Sequence, residues 1–428
     1  KDYVTFREKR LRGISKEDAR LIILAWSKFG PKGLGGLSDL DFTTAVNRLY
    51  LAARSEEERD KNEGAFLGAM LRVRMGDTLK LHVKSLLLRL KERQINDSET
   101  LLDAFAYITA MHSEQLHILT KEILAETLSC KLSDVKKKIT GPLGDEAAAS
   151  TGGDRIFTRH RAIAEAAVEI LSETFYIDFD EVFLELAEAA YRIHNKGLFL
   201  PYFAQWKFLS DHFLKKENKA LAIRLDQTLL KIDPSDSRLI SHLSRLLRET
   251  EQPDLSLRIF RDFDHSISGP ARAFFYEWGV AEGVSKNDAI AIWLFAIALS
   301  DQIELKPIEK RTATMCLSGL AYNFFSLFES YNNQSFVEAS GAAVQIGLVF
   351  PVLNEVDRHL FGLYGARSRA EGIHDVDLKT AFFRLNKGII NAWRQRETEL
   401  AKWVMPVEKL TFKWLSKLLC LDDISYYQ

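Results

Sequence analysis

The chain is short of the residues that interrupt helices and of those that staple small folds. Nine prolines and 23 glycines in 428 residues leave long stretches without a breaker, which argues against many short strands and for long helices. Cys130, Cys316 and Cys420 are odd in number and far apart, so no disulfide framework or metal-ligand spacing is implied and a reducing cytoplasm is expected. Surplus charge is missing too: 58 Lys+Arg stand against 59 Asp+Glu, and no net field draws the molecule toward nucleic acid or an anionic membrane. No run approaches the ~18 apolar residues of a spanning helix, and no secretory signal opens the chain. GxSxG, HExxH and a phosphate loop are absent, and GLGG (33–36) lacks the Gly-Lys-Ser/Thr that such a loop needs. The carboxylates read as solvated helix faces, so catalysis by this chain alone is not expected. It opens on Lys1-Asp2-Tyr3, without methionine, which predicts a natural product that extends upstream.

What is present is an ordinary globular balance, 46% hydrophobic and 27% charged, enough for two or three domains. Ser15, with Asp18 three positions on, predicts a capped helix over 14–29 that Gly30-Pro31 stops. Helices to about Ala53, over 63–75 and over 77–93 complete a four-helix unit, with SEEERDKNE (55–63) as an exposed charged connection. A helix over 98–112 opens on a capping box at Ser98-Glu99-Thr100, and short helices at about 119–129 and 132–139 follow. GPLGDEAAASTGGD reads as a mobile hairpin tip or wing. The β-prone run Ile156-Phe157-Thr158 then passes through Arg159-His160-Arg161 into an amphipathic helix, completing what looks like a winged helix.

From about 182 onward the chain is helical, with a weak repeat of 34 to 35 residues. Trp206, Ser210, Phe213, Ala222, Leu229 and Pro234 occupy the packing positions of a tetratricopeptide-like unit. Ile240, Leu243, Ser244, Ser256 and Phe260 repeat the pattern, as do Phe275, Trp278, Gly279, Ala291 and Phe295. Small residues at the eighth and twentieth positions let paired helices approach closely. The period fades beyond 305, while helices continue over 309–330, 333–350, 352–370, 378–397 and 400–419. The fold class expected is mainly all-α: a four-helix domain (1–96), a winged-helix domain with a β-hairpin (97–178) and a TPR-like α-solenoid (179–428).

The order of these parts resembles the latter half of bacterial STAND ATPases, the NLR-like switch proteins. ISKEDARLIILAWSKFG and NEGAFLGAMLRVRMGDTLKLHVKSLLLRL look like the lid over the nucleotide. RHRAIAEAA resembles the Met-His-Asp motif, with His160 on its histidine and Arg159 and Arg161 in place of Met and Asp. The likeness covers about 10–175 and is only architectural beyond 182. It implies that His160 touches the β-phosphate of ADP, with Arg159 or Arg161 nearby. A histidine N–H at a helix N-terminus suits phosphate. It also implies ADP or ATP with Mg in a complete protein, a protein trigger (phage-derived ones among the candidates) at the repeats, and self-association on activation.

Blander readings exist. His160 can be a helix-start histidine that serves only its own backbone. A free-standing helical-repeat adaptor or a winged-helix transcriptional regulator would carry the same elements. Lys136-Lys137-Lys138 reads first as a solvated helix end, and nucleic acid is not an expected partner. His112 and His117 lack a third ligand for a metal site.

Overall fold

The computed structural model describes residues 14–59, 65–75, 78–304, 306–351, 354–396 and 410–421. It is mainly helical, and among the described residues the strands form a single two-stranded sheet. No described helix is long and apolar enough to cross a membrane. The chain divides into two compact units, Lys1–Leu209 and Ser210–Gln428.

In the first unit Ser15 caps α1 (Lys16–Ser27). Its Oγ accepts the Asp18 N–H at 3.0 Å, and the Asp18 carboxylate accepts the Ser15 N–H at 2.9 Å, an arrangement worth ~1 kcal/mol. α2 (Phe42–Arg59) and α3 (Ala65–Met70) follow, and Ala19, Ile23, Leu49, Ala53, Ala69 and Val73 form the shared core. α2 runs past its expected end at Ala53, which corrects the reading of SEEERDKNE as a connection. Ser55–Arg59 is helix, and the Glu56 side chain is 11% exposed with Arg72 Nε 2.6 Å from its Oε1. Residues 60–63 of that run lie outside the described residues.

α4 (Thr78–Lys91) leads to α5 (Leu101–Ser113), which starts at Thr100 rather than Ser98. The Asn96 side-chain oxygen accepts the N–H groups of Ser98 at 3.0 Å and Glu99 at 2.7 Å. The chain therefore turns once more before Thr100 and Asp103 close the capping box. α6 (Lys121–Thr127) is capped by Thr120. GPLGDEAAASTGGD is not a single mobile tip: Gly141–Asp145 is a helical turn with Pro142 near its start, and Ala149–Gly152 is β1. β1 pairs antiparallel with β2 (Arg155–Thr158), Ala149 opposite Thr158 and Gly152 opposite Arg155. The Ile156 N–H donates to the Leu119 carbonyl at 3.1 Å, which fixes the hairpin beside the start of α6. α7 (Arg161–Phe175) packs on α4 and α5, and α8 (Phe179–Asn195) packs on α6. Trp206, first in the repeat pattern, is held in this unit by its indole N–H on the Ile118 carbonyl at 3.2 Å.

The second unit is a run of helices with short connections: α9 (Leu209–Lys215), α10 (Lys219–Ile232), α11 (Ser237–Glu249), α12 (Pro253–Arg261), α13 (Ala271–Val284) and α14 (Asp288–Leu299). α15 (Lys310–Tyr331), α16 (Gln334–Leu348), α17 (Glu355–Ala370), α18 (Leu378–Gln395) and α19 (Lys413–Leu418) continue it. Of the last expected helix, 400–409 lies outside the described residues. From α10 to α17 each helix packs on the next. Gly279 does admit close approach: a Cβ there would stand 3.0 Å from the Phe295 ring, and one on Gly319 would meet the same ring at 2.6 Å.

α14 breaks the rule that each unit of an array touches only its neighbours. All 12 of its residues are buried. Besides α13 and α15 it packs on α18, with the Trp293 and Trp393 ring centroids 4.3 Å apart. DAIAIWLFAIAL has almost no polar face to leave in water, so a later helix must return to cover it. Asp301 ties α19 to the end of α14, its carboxylate accepting the Trp414 N–H and the Thr411 hydroxyl, each at 2.9 Å.

α18 meets its neighbours most tightly at Gly388, where a Cβ would lie 2.3 Å from the Ala339 Cβ and 3.0 Å from the Phe324 ring. Gly388→Val is expected to cost the second unit about 1–3 kcal/mol by forcing α16 and α18 apart. Urea unfolding followed by far-UV circular dichroism should show a lower midpoint; an unchanged one would rule out the close approach.

Candidate functional site

The candidate site is the junction of β2 and α7. The Thr158 hydroxyl donates to the His160 carbonyl at 3.0 Å and also meets Nδ1 of His112. This local bond leaves His160 extended, at φ −157°, as the N-cap of α7. Its Nδ1 accepts the Ala162 N–H at 3.1 Å, the role that Ser, Thr, Asp or Asn fills in most helices. Because Nδ1 accepts, the neutral ring carries its proton on Nε2. The blander reading thus describes one edge of the ring correctly: it serves its own backbone, through an amide N–H.

The other edge meets the helical unit that precedes it. His160 is 3% exposed. A Cβ placed on Gly68 of α3 would stand 2.6 Å from His160 Cε1 and 2.7 Å from Nε2. Glu56 Oε2, from α2, lies 2.6 Å from the same point. Only glycine leaves room for this approach. With Arg72 on the other Glu56 oxygen, the arrangement sets an anionic acceptor, backed by a guanidinium, beside an imidazole N–H donor at a helix start.

The flanking arginines are directed elsewhere. Arg159 donates to the Gly144 carbonyl at 3.3 Å, and Arg161 Nε pairs with Glu165 of its own helix at 2.9 Å. Lys138 is engaged by Asp134 at 3.3 Å. The His112 and His117 rings are 5.8 Å apart, and among the described residues no group of three His, Cys, Asp or Glu is placed to hold a metal. Sequence reasoning missed Glu56 and Gly68. The spacing that brings them to His160 is set by helix packing and leaves no local pattern.

The second unit corrects the expectation that the carboxylates are solvated. Asp226 and Glu282 are both fully buried. Glu282 accepts from Arg261 Nη2 at 2.8 Å, Asn287 Nδ2 at 2.8 Å and Trp278 Nε1 at 3.1 Å. Asp226 accepts the Ser210 hydroxyl at 2.7 Å and faces Nδ1 of His242 at 2.5 Å. Nε2 of His242 lies 3.1 Å from Asp211, which Arg245 holds at 2.7 Å.

These are the residue types of a hydrolytic triad in the wrong order. A nucleophilic serine must give its proton to the imidazole, whereas Ser210 donates to the carboxylate and both ring nitrogens of His242 face carboxylates. The cluster is a structural ion network. Burial opposes charge on His242, but the hydrogen bond and charge of Asp226, and then Asp211, outweigh it and hold the imidazolium above its ordinary value of 6.5. Compared with family models, with curated proteins and with solved structures, the chain finds no match.

Proposed function

We propose that residues 10–175 are the lid and winged-helix portion of a STAND-type ATPase switch, and that the helices beyond 179 recognise a protein trigger. The observation that carries this reading is the capped His160, whose Nε2 edge lies against Gly68 and Glu56 of the preceding helical unit. A donor beside a helix N-terminus is what a phosphate requires. The β-phosphate of ADP or ATP would be held by His160 and would compete with the Glu56 carboxylate for that edge. The bound nucleotide would supply the charge that separates the two states of the switch. Arg161 would contribute only by leaving Glu165. Trigger binding to the helical array would free the junction, permit exchange and drive self-association that turns on an upstream effector.

The test separates the cap from the sensor. In the complete protein His160→Asn keeps a side-chain acceptor for the Ala162 N–H but removes Nε2. It is expected to speed ADP release about tenfold, the equivalent of one charge-assisted hydrogen bond, with the melting temperature unchanged. Release at the wild-type rate would sink the reading and leave His160 as a cap. A coding sequence with a start codon immediately before Lys1 would likewise favour a helical adaptor.

A further inference from the structure

The second unit contains a cavity. It holds about 240 Å³ and is lined by α16, α17, α18 and the connection between α17 and α18. That is just under the ~300–1,000 Å³ common for ligand sites, the scale of a small molecule or a single residue. Its wall is preformed: the Gln345 side-chain oxygen accepts the Val376 N–H at 3.2 Å, and its amide nitrogen donates to the Val376 carbonyl. Gly341 and Gly365 contribute no side chains and leave the space open.

The cavity lining is mainly basic at its charged positions. Arg369 and Arg384 both line the cavity, and among the described residues no hydrogen bond or ion pair engages either guanidinium. Asp375 is the one acid in the lining, against two guanidiniums and the His374 imidazole. Ser368, 2% exposed, also lines it, and its hydroxyl has no partner among the described residues. Leu348 and Val349 line it too while remaining 54% and 46% exposed.

We propose that this cavity binds a carboxylate carrying an apolar group. The carboxylate would sit between Arg369 and Arg384, whose planar donors match two oxygens, and the apolar part would cover Leu348 and Val349. A free aliphatic acid and the C-terminal residue of a polypeptide share this chemistry. The site is independent of the switch reading.

Calorimetric titration of the full chain tests it with three probes: N-acetyl-leucine, the peptide Ala-Ala-Leu with a free carboxylate, and the same peptide amidated. The free acids are expected to bind about tenfold or more tighter than the amide. The double variant Arg369→Gln, Arg384→Gln should lose that difference while its circular dichroism and melting stay unchanged. A peptide acid that outbinds N-acetyl-leucine supports a polypeptide end, and equal binding supports a free acid. Equal affinity for acid and amide, full affinity in the double variant, inorganic phosphate binding ahead of both acids, or no binding up to the order of 10 mM would each overturn the proposal.

Discussion

Trp293→Ala is expected to lower the stability of the second unit by about 3–5 kcal/mol. The side chain is fully buried in α14, within the apolar core of the second unit. Its indole lies against Trp393, in a helix enclosed by α13, α15 and α18. Truncation removes the transfer free energy of a large aromatic and leaves a hole that three packed helices cannot close without moving together. The indole N–H has no hydrogen-bond partner among the described residues, so the contribution is one of packing. Trp293→Phe should therefore recover most of it, and urea unfolding followed by far-UV circular dichroism reads both values. A midpoint for the alanine variant within error of the wild type would mean that α14 is not the centre of this unit.

Asp226→Ala should cost about 3–5 kcal/mol for a different reason: it leaves His242 buried with one of its two carboxylates gone. This loss depends on pH. Folding holds the His242 proton more tightly than the unfolded chain does. The stabilisation is therefore fully present below the unfolded value of 6.5 and fades as pH rises through the higher folded value. Asp211 is depressed despite its burial, by His242 and then Arg245, so its share is lost on the acid side, as pH falls below the ordinary carboxylate range. The wild type should weaken from neutral toward alkaline pH. Asp226→Ala should show a flatter profile there, and an identical slope in the two proteins would contradict the assignment.

Features set within a few residues were legible in the sequence. The Ser15–Asp18 box, the start of α7 at His160 and the small residue Gly279 facing Phe295 all follow from spacing along one or two helices. The start of α5 was misplaced because Asn96, a residue of the preceding turn, captured the amides that Ser98 was expected to free for a cap. Contacts across long separations left no trace. The return of α18 to α14, the Asp301 tie to Trp414 and the meeting of Glu56 with Gly68 and His160 depend on which faces pack. Asp226 and Glu282 looked solvated because a carboxylate on a helix reveals its burial only once a neighbour supplies Arg, His or Ser. For the candidate site, the histidine and its helix were readable, and the acceptor facing it was not.

The enclosure of α14 also has a consequence for biosynthesis. α18 begins at Leu378, about 80 residues after α14 ends at Leu299. At ~5–20 residues per second, a ribosome has α14 finished about 4–16 s before its last cover starts to emerge. For that interval one flank of an almost wholly apolar helix faces water on a nascent chain that is itself still growing, a time long compared with the microseconds of hydrophobic collapse. The Trp293 face is thus an apolar surface that stays without its α18 cover during translation. A prematurely terminated message ending before Leu378 would release a chain that lacks the helix covering that surface.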